Sequence, residues 1–283
     1  MDKQITLKYN NQSIIVDFLG AQLMSYKVNN HEVIWKGDKA SWMNHAPILF
    51  PICGGLNNNE YRLNEKSYPM IKHGFIRNTI FKLVSKGNNY LELMLEANEE
   101  TKKYFPFDFD FLVRYELGNY LSISYIVRNK SEDDMYFGIG SHEGYQLYDE
   151  LENYSVRFEK EEELKSNIIN GSLIERKTLD FPKGQTLDMK KEYFKIDALV
   201  FQNIKSREVT LLHNDKEEVV KVRFKNAKHL VLWTIPGARF LCIEPWTSVH
   251  DYINEIKDIK EKEDIICLKP HQGYEFSHII KAR

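Results

Sequence analysis

The chain reads as an all-β protein, a large antiparallel β-sandwich with few short helices. Three observations carry that reading. Apolar residues recur at every second position over long stretches, the pattern of strands that bury one face. Pairs such as Asn10-Asn11, Asn29-Asn30 and Gly118-Asn119 punctuate those stretches where hairpins would turn. Helical periodicity is scarce.

Taken in order, Ile5, Leu7 and Tyr9 alternate up to Asn10-Asn11, and Ile14-Ile15-Val16 follows. Asn29-Asn30 precedes Val33-Ile34-Trp35. After Gly87-Asn88-Asn89, Leu91, Leu93 and Leu95 alternate with glutamates. The clearest run is Phe107, Phe109, Phe111, Val113, Tyr115 and Leu117, interleaved with Asp108, Asp110, Arg114 and Glu116. Gly118-Asn119 reverses it into Leu121, Ile123, Tyr125 and Val127. A slip of one residue would turn this aromatic face to water, so its register is expected to be firm. Asn98 can cap a helical turn through Glu99–Lys103 that Pro106 stops. The charged stretch from Glu255 to Asp264 reads as a solvated connection. No repeat or linker divides the chain, and residues 1–283 are expected to form one domain.

With 42% hydrophobic residues the chain has material for a sizeable core. A formal net charge of -2 supplies no field for nucleic acid or an anionic membrane. The first residues carry no apolar signal core, and no apolar run is long enough to span a bilayer. Cys53, Cys242 and Cys267 are odd in number and lack Cys-x-x-Cys spacing, which fits a reducing compartment rather than a disulfide framework. A cytoplasmic protein with a small-molecule partner is expected; the sequence leaves open whether it forms a homodimer. Aromatic residues make up 13% of the chain, and aromatic-lined pockets suit the apolar faces of sugars.

The segment Gly138-Ile139-Gly140-Ser141-His142-Glu143-Gly144 stands out. Its three glycines suit a tight turn, and they hold His142, which can exchange a proton near neutral pH. The same segment also reads as a glycine-rich hairpin whose histidine makes a local hydrogen bond. In Leu241-Cys242-Ile243-Glu244-Pro245-Trp246, a strand-like run is expected to end at the carboxylate, because proline removes a ladder donor. Glu244 beside an indole reads as a partly desolvated base, or as an exposed edge residue; Trp246 reads as a stacking wall for a sugar, or as core. His73 and Arg77 bracket Gly74-Phe75 and suit polar ligand recognition, or a hairpin with a paired arginine. Asp197 opens Ala198-Leu199-Val200-Phe201 and reads as a turn residue or as an acceptor for adjacent hydroxyls. No serine elbow, phosphate loop or His-Glu-x-x-His motif is present. With no close pair among the nine histidines, no metal is expected.

Ala46-Pro47-Ile48-Leu49-Phe50-Pro51, His73-Gly74-Phe75-x-Arg77, Gly140-x-His142, Asp197-Ala198-Leu199 and Glu244-Pro245-Trp246, in that order, resemble the aldose 1-epimerase (galactose mutarotase-like) superfamily, in particular its lactose-operon X protein branch. Tyr104-Phe105-Pro106-Phe107-x-Phe109 matches a further family segment, and the resemblance runs from about Ile5 to Phe276. It implies a large antiparallel supersandwich with a sugar on a concave sheet face, and cofactor-free interconversion of the anomers of a free aldose. By position His142 matches the acid that protonates the ring oxygen and Glu244 the base that takes the C1 hydroxyl proton. His73 and Asp197 match sugar-binding residues, and Arg77 follows the branch pattern.

The chain departs from the family at two positions. Glu143 stands where members commonly carry proline, and beside the acid its charge would favour protonated His142. Gly55, after Phe50-Pro51-Ile52-Cys53-Gly54, stands where many members carry a sugar-contacting arginine. Two other readings stay open on these grounds: a hexose-6-phosphate 1-epimerase-like enzyme using Lys72 and Arg77, and a non-catalytic carbohydrate-binding protein on the same scaffold.

Overall fold

The structure, a computed structural model, describes residues 3–283. It is built almost wholly from antiparallel strands. The largest sheet has nine, in the order Gly184–Asp188, Tyr154–Glu162, Glu208–His213, Glu217–Lys225, Gly273–Ala282, Leu121–Asn129, Phe109–Leu117, Tyr90–Glu96, Lys82–Lys86. A second, eight-stranded sheet runs Leu173–Asp180, Lys165–Asn170, Ala198–Phe201, His229–Trp233, Phe240–Trp246, Gly140–Ser141, Ile48–Leu49, with Glu143–Gln146 also paired to Phe240–Trp246. A four-stranded sheet formed by Gln4–Tyr9, Gln12–Asp17, Leu23–Val28 and His31–Glu32 completes the larger architecture.

The alternation in the sequence places the core. Phe109, Phe111, Val113, Tyr115 and Leu117 are buried while the residues between them are half-exposed, and Leu117 pairs with Leu121 across the Gly118-Asn119 turn. This aromatic face packs against Leu199, Phe201, Leu230, Leu232, Leu241 and Ile243 from the eight-stranded sheet, so the main core lies between the two sheets. Residues of the opposite parity in that second sheet, among them Ala198, Val200, Val231 and Trp246, form a separate cluster on its other face. The capped turn at Asn98 is a one-turn helix, Glu99–Lys102, with the Asn98 side chain accepting from the Glu100 and Thr101 amides. Among the described residues no helix is long and apolar enough to cross a membrane.

Two local expectations are corrected. The glycines around His142 do not make a tight turn: Gly140 and Gly144 lie in strands. Their missing side chains give space to bulk, since a Cβ on Gly140 would come within 2.6 Å of Trp246 and one on Gly144 within 2.8 Å of Trp42. Nor does the strand end at Glu244; it continues through Pro245 to Trp246, with Glu244 opposite Val231. The proline interrupts only the other side of the strand. Trp246 accepts from the Lys228 amide on one flank and Thr247 donates to Ile139 on the other. Pro245 therefore faces the 139–146 segment, where it has no N–H to give. The Ser141 carbonyl opposite it accepts the Trp246 indole N–H instead, at 3.2 Å. At that rung the neighbouring segment splits into Gly140–Ser141 and Glu143–Gln146, and His142 sits in the break.

Candidate active site

Glu143 pairs with Ile243, and Gly140 with Trp246. One register joins the two pairings, and within it His142 stands opposite Glu244. Directly opposed antiparallel residues share a face with Cβ atoms ~4.5–5.5 Å apart. Their side chains accordingly meet on the face turned away from the main core, with His142 Nδ1 3.3 Å from Glu244 Oε1. The angles make no hydrogen bond: among the described residues His142 Nδ1 and both Glu244 carboxyl oxygens have no partner. Both residues are buried, at 8% and 1% exposure.

An open cleft of about 220 Å³ lies over this pair. All six residues singled out in the sequence line it: His73, Arg77, His142, Asp197, Glu244 and Trp246. His73 has a φ of 70° and Asp197 one of 86°, backbone conformations that side-chain-bearing residues rarely adopt and that gather at functional sites. The His73 turn depends on Gly74, where a Cβ would come within 2.0 Å of the Phe50 carbonyl. The Gly54 amide donates to His73 Nδ1 at 3.1 Å, which in the neutral ring leaves Nε2 as the donor. Asp197 lies 3.5 Å from Lys72 Nζ, and Arg77 donates to the Lys72 carbonyl at 3.0 Å.

The sequence reading did not single out Trp42, Trp233 and His250, which also line the cleft. Trp42 stacks on the His142 ring with centroids 5.1 Å apart, and Trp233 meets the ring edge-on at 5.6 Å. Trp233 lies on the strand alongside Glu244's, two residues beyond Val231, which puts it on the cleft face; that pattern was present in the sequence. Trp42 and His250 come from loops, where no periodicity announces a facing direction. Trp246 is only 1% exposed and its indole N–H is spent on Ser141, so it forms floor rather than an open stacking wall.

Burial dominates the electrostatics. It pushes the His142 imidazole down to about 3, helped by the Lys72 and Arg77 cations. His250 is likewise lowered to about 3 by burial and Lys72, and His73 well below the usual imidazole range by burial and then by His142. Burial raises the Glu244 carboxyl well above its ordinary value, against the pull of Lys72. Burial in the cleft thus favours neutral imidazole and neutral carboxyl. Glu143 acts here only at a distance, its charge adding to the rise of the Glu244 carboxyl. Its side chain points into the core on the opposite face of the sheet, 3.0 Å from His278 Nε2, so its expected influence on His142 is overturned by strand alternation. Near the floor, Cys242 joins His142 and Glu244 in a group whose donor atoms all lie within 4.8 Å of one another, with His142 about a hundred positions away from the other two in sequence.

A buried imidazole and carboxyl facing each other beneath an aromatic-walled cleft is an arrangement suited to moving protons on a small ligand. The chain belongs to the aldose 1-epimerase family, whose model matches residues 3–282. It is 30% identical over 288 residues to the plasmid-encoded protein LacX of Lactococcus lactis, covering 94% of this chain and 95% of that protein. A galactose mutarotase related enzyme from Lactobacillus acidophilus superposes with a TM-score of 0.93 at 27% identity, covering 99% of this chain and 97% of the other. A galactose mutarotase-like protein from Lactobacillus casei does so with a TM-score of 0.92 at 26% identity, over 99% and 100%.

Proposed function

We propose that the protein is an aldose 1-epimerase that interconverts the α and β anomers of a free aldose by acid–base ring opening and closure, without a cofactor. The observation that carries the reading is the cross-strand pair His142 and Glu244, 3.3 Å apart at the base of the cleft. In the opening direction His142 gives a proton to the ring oxygen while Glu244 takes the C1 hydroxyl proton. The aldehyde end rotates, and closure reverses both transfers on the other face. Two groups sharing one proton suffice, since positioned proton transfer contributes typically ~10²–10⁴-fold.

The proton inventory agrees with this scheme. With a cyclic sugar bound, the pair must hold its proton on His142; once the ring is open, the proton belongs on Glu244. Burial favours the second arrangement. The site is therefore matched to the open-chain form, the high-energy species of the reaction. His73 with its Nε2 donor and Asp197 are placed to hold ring oxygen and hydroxyls, and Trp42 and Trp233 to cover an apolar sugar face.

A free sugar is favoured over a phosphorylated one because the two cations already have partners. Lys72 faces Asp197, and Arg77 gives an N–H to the Lys72 carbonyl. The test is proton NMR or polarimetry of freshly dissolved α-D-glucose and α-D-galactose with the purified protein. Anomer exchange should accelerate, and His142→Ala and Glu244→Gln should each lower kcat by about 10²–10⁴-fold with the fold retained. Variants as fast as wild type would refute the assignment. Acceleration confined to sugar phosphates would move the substrate to the phosphorylated class, and saturable sugar binding without acceleration would mark a binding protein.

A further inference from the structure

We infer that the floor of the cleft is a binding site for one soft divalent cation, Zn²⁺ or a close analogue, held by His142, Cys242 and Glu244 in place of the sugar. Cys242 and Glu244 are two residues apart on one strand, so alternation puts both on the cleft face. His142 stands opposite Glu244 on the neighbouring segment. The imidazole nitrogen, the thiol sulfur and a carboxylate oxygen converge to within 4.8 Å of one another. Two of the three ligands are nine-tenths buried and unpartnered at the atoms concerned, His142 Nδ1 and the Glu244 oxygens.

Zinc bond lengths of about 2.0–2.3 Å to nitrogen, oxygen and sulfur set tetrahedral ligand atoms about 3.3–3.6 Å apart. The edge from His142 Nδ1 to Glu244 Oε1 is already 3.3 Å. The sulfur has at most about one ångström to close, within reach of a small side-chain rotation. Three protein ligands leave the fourth position of the ion to a water, at a site whose His142 Nδ1 and Glu244 oxygens are shielded from solvent. Thiolate and imidazole select Zn²⁺ and Co²⁺ over Mg²⁺ and Ca²⁺, which require oxygen donors. On binding, Cys242 ligates as thiolate and Glu244 as carboxylate, and their protons pass to water. Metal on the His142 ring and on the Glu244 carboxylate ties up the two groups that the epimerase reading assigns to proton transfer. The ion is thus an inhibitor competing with sugar, not a cofactor.

The experiment titrates the full-length, metal-free protein with Zn²⁺ alone by calorimetry, and with Co²⁺ by absorption spectroscopy, without any sugar. One ion per chain is expected, with a thiolate-to-cobalt charge-transfer band in the near ultraviolet and no binding of Mg²⁺ under the same conditions. Cys242→Ser should abolish the band and weaken Zn²⁺ binding by at least about tenfold, since even outer-shell changes at metal sites cost about 10–100-fold. His142→Ala, which only enlarges the open cleft, should weaken binding likewise and serves if Cys242→Ser does not fold. Cys267→Ser, removing the exposed thiol, should keep both the band and the affinity. Absence of binding, a band that survives Cys242→Ser, or an affinity unchanged in both Cys242→Ser and His142→Ala would overturn the site. Because none of these readouts needs turnover, failure of the epimerase reading leaves the test intact. If the enzyme is active, Zn²⁺ should raise the apparent KM and leave kcat unchanged.

Discussion

Glu143 and His278 meet 3.0 Å apart in the middle of the sandwich, with 1% and 0% of their side chains exposed. They join the segment that carries His142 on its front to the strand Gly273–Ala282 of the facing sheet. Tyr125 also reaches the Glu143 carboxylate, at 3.5 Å. Taking one partner from a buried pair strands the other in a low-dielectric core, at a cost of about 3–5 kcal/mol, whereas replacing both with apolar residues is often neutral. Urea unfolding of Glu143→Leu and His278→Leu should show losses of that size, and the double variant should recover most of them. Losses that simply add would mean that the pair is not coupled.

The glycine at position 55 cannot be exchanged for the arginine that many family members carry there. A Cβ would lie 2.2 Å from the Ser172 carbonyl oxygen. The Gly55 amide also donates to His250 Nδ1 at 3.0 Å, which ties this backbone to the cleft wall. Gly55→Arg should therefore destabilise the protein, by an overpacking cost of about 1–3 kcal/mol or more, and raise KM rather than lower it. Chemical denaturation and a sugar titration would check both parts.

Acid should weaken the fold before ordinary carboxylates protonate. His73, His142 and His250 all have folded-state affinities for protons below the unfolded value of 6.5. Below about pH 6.5 the unfolded chain binds three protons that the native protein refuses, so stability falls as pH falls. Glu244 acts in the opposite sense, since the native state keeps a proton that the unfolded chain releases above about 4.5. Among these four groups the net difference between about pH 4.5 and 6.5 is two protons, on the order of 2–3 kcal/mol per pH unit, and His45, also lowered by burial, acts in the same sense as the other rings. Urea midpoints measured across that interval should rise steeply with pH, and a flat profile would show that these rings are protonated in the native state.

Lys72 should set the acid limb of activity. It contributes to lowering both His142 and Glu244, so without it both groups hold protons more readily. In Lys72→Met the pair should accept its second, inactivating proton at higher pH. The acid limb of kcat/KM should move upward while the rate on the plateau changes less. An unshifted limb would mean that the Lys72 charge is fully screened by Asp197.

The aromatic residues around the cleft should divide their roles by exposure. Trp42 is only partly buried and stacks on His142, so Trp42→Ala should raise KM through lost sugar contact and also lower kcat through a loosened ring. Trp246→Phe leaves the buried Ser141 carbonyl without its donor, a cost of about 1–3 kcal/mol in stability. Thermal melts and sugar titrations on the two variants would separate these roles.

Much of the architecture was written in the chain itself. Alternation with a period of two fixes which side of a strand is apolar, and Phe109 to Leu117 displays it without a break, so the core face and the Gly118-Asn119 hairpin could be read directly. The Asn98 cap was equally local. His142 and Glu244 were marked by the glycines and the proline beside them and joined as acid and base only through the family resemblance, not by any local pattern that brings their side chains together. That relation required the register between two strands that lie about a hundred positions apart in sequence. The glycines that suggested a turn instead make room for Trp246 and Trp42, and only packing in three dimensions decides between those uses. Strand alternation sent Glu143 into the core towards His278, and the sheet register set Cys242 beside His142 and Glu244. The one-dimensional pattern determines which faces are buried; which distant side chains meet on them is decided when the strands pair.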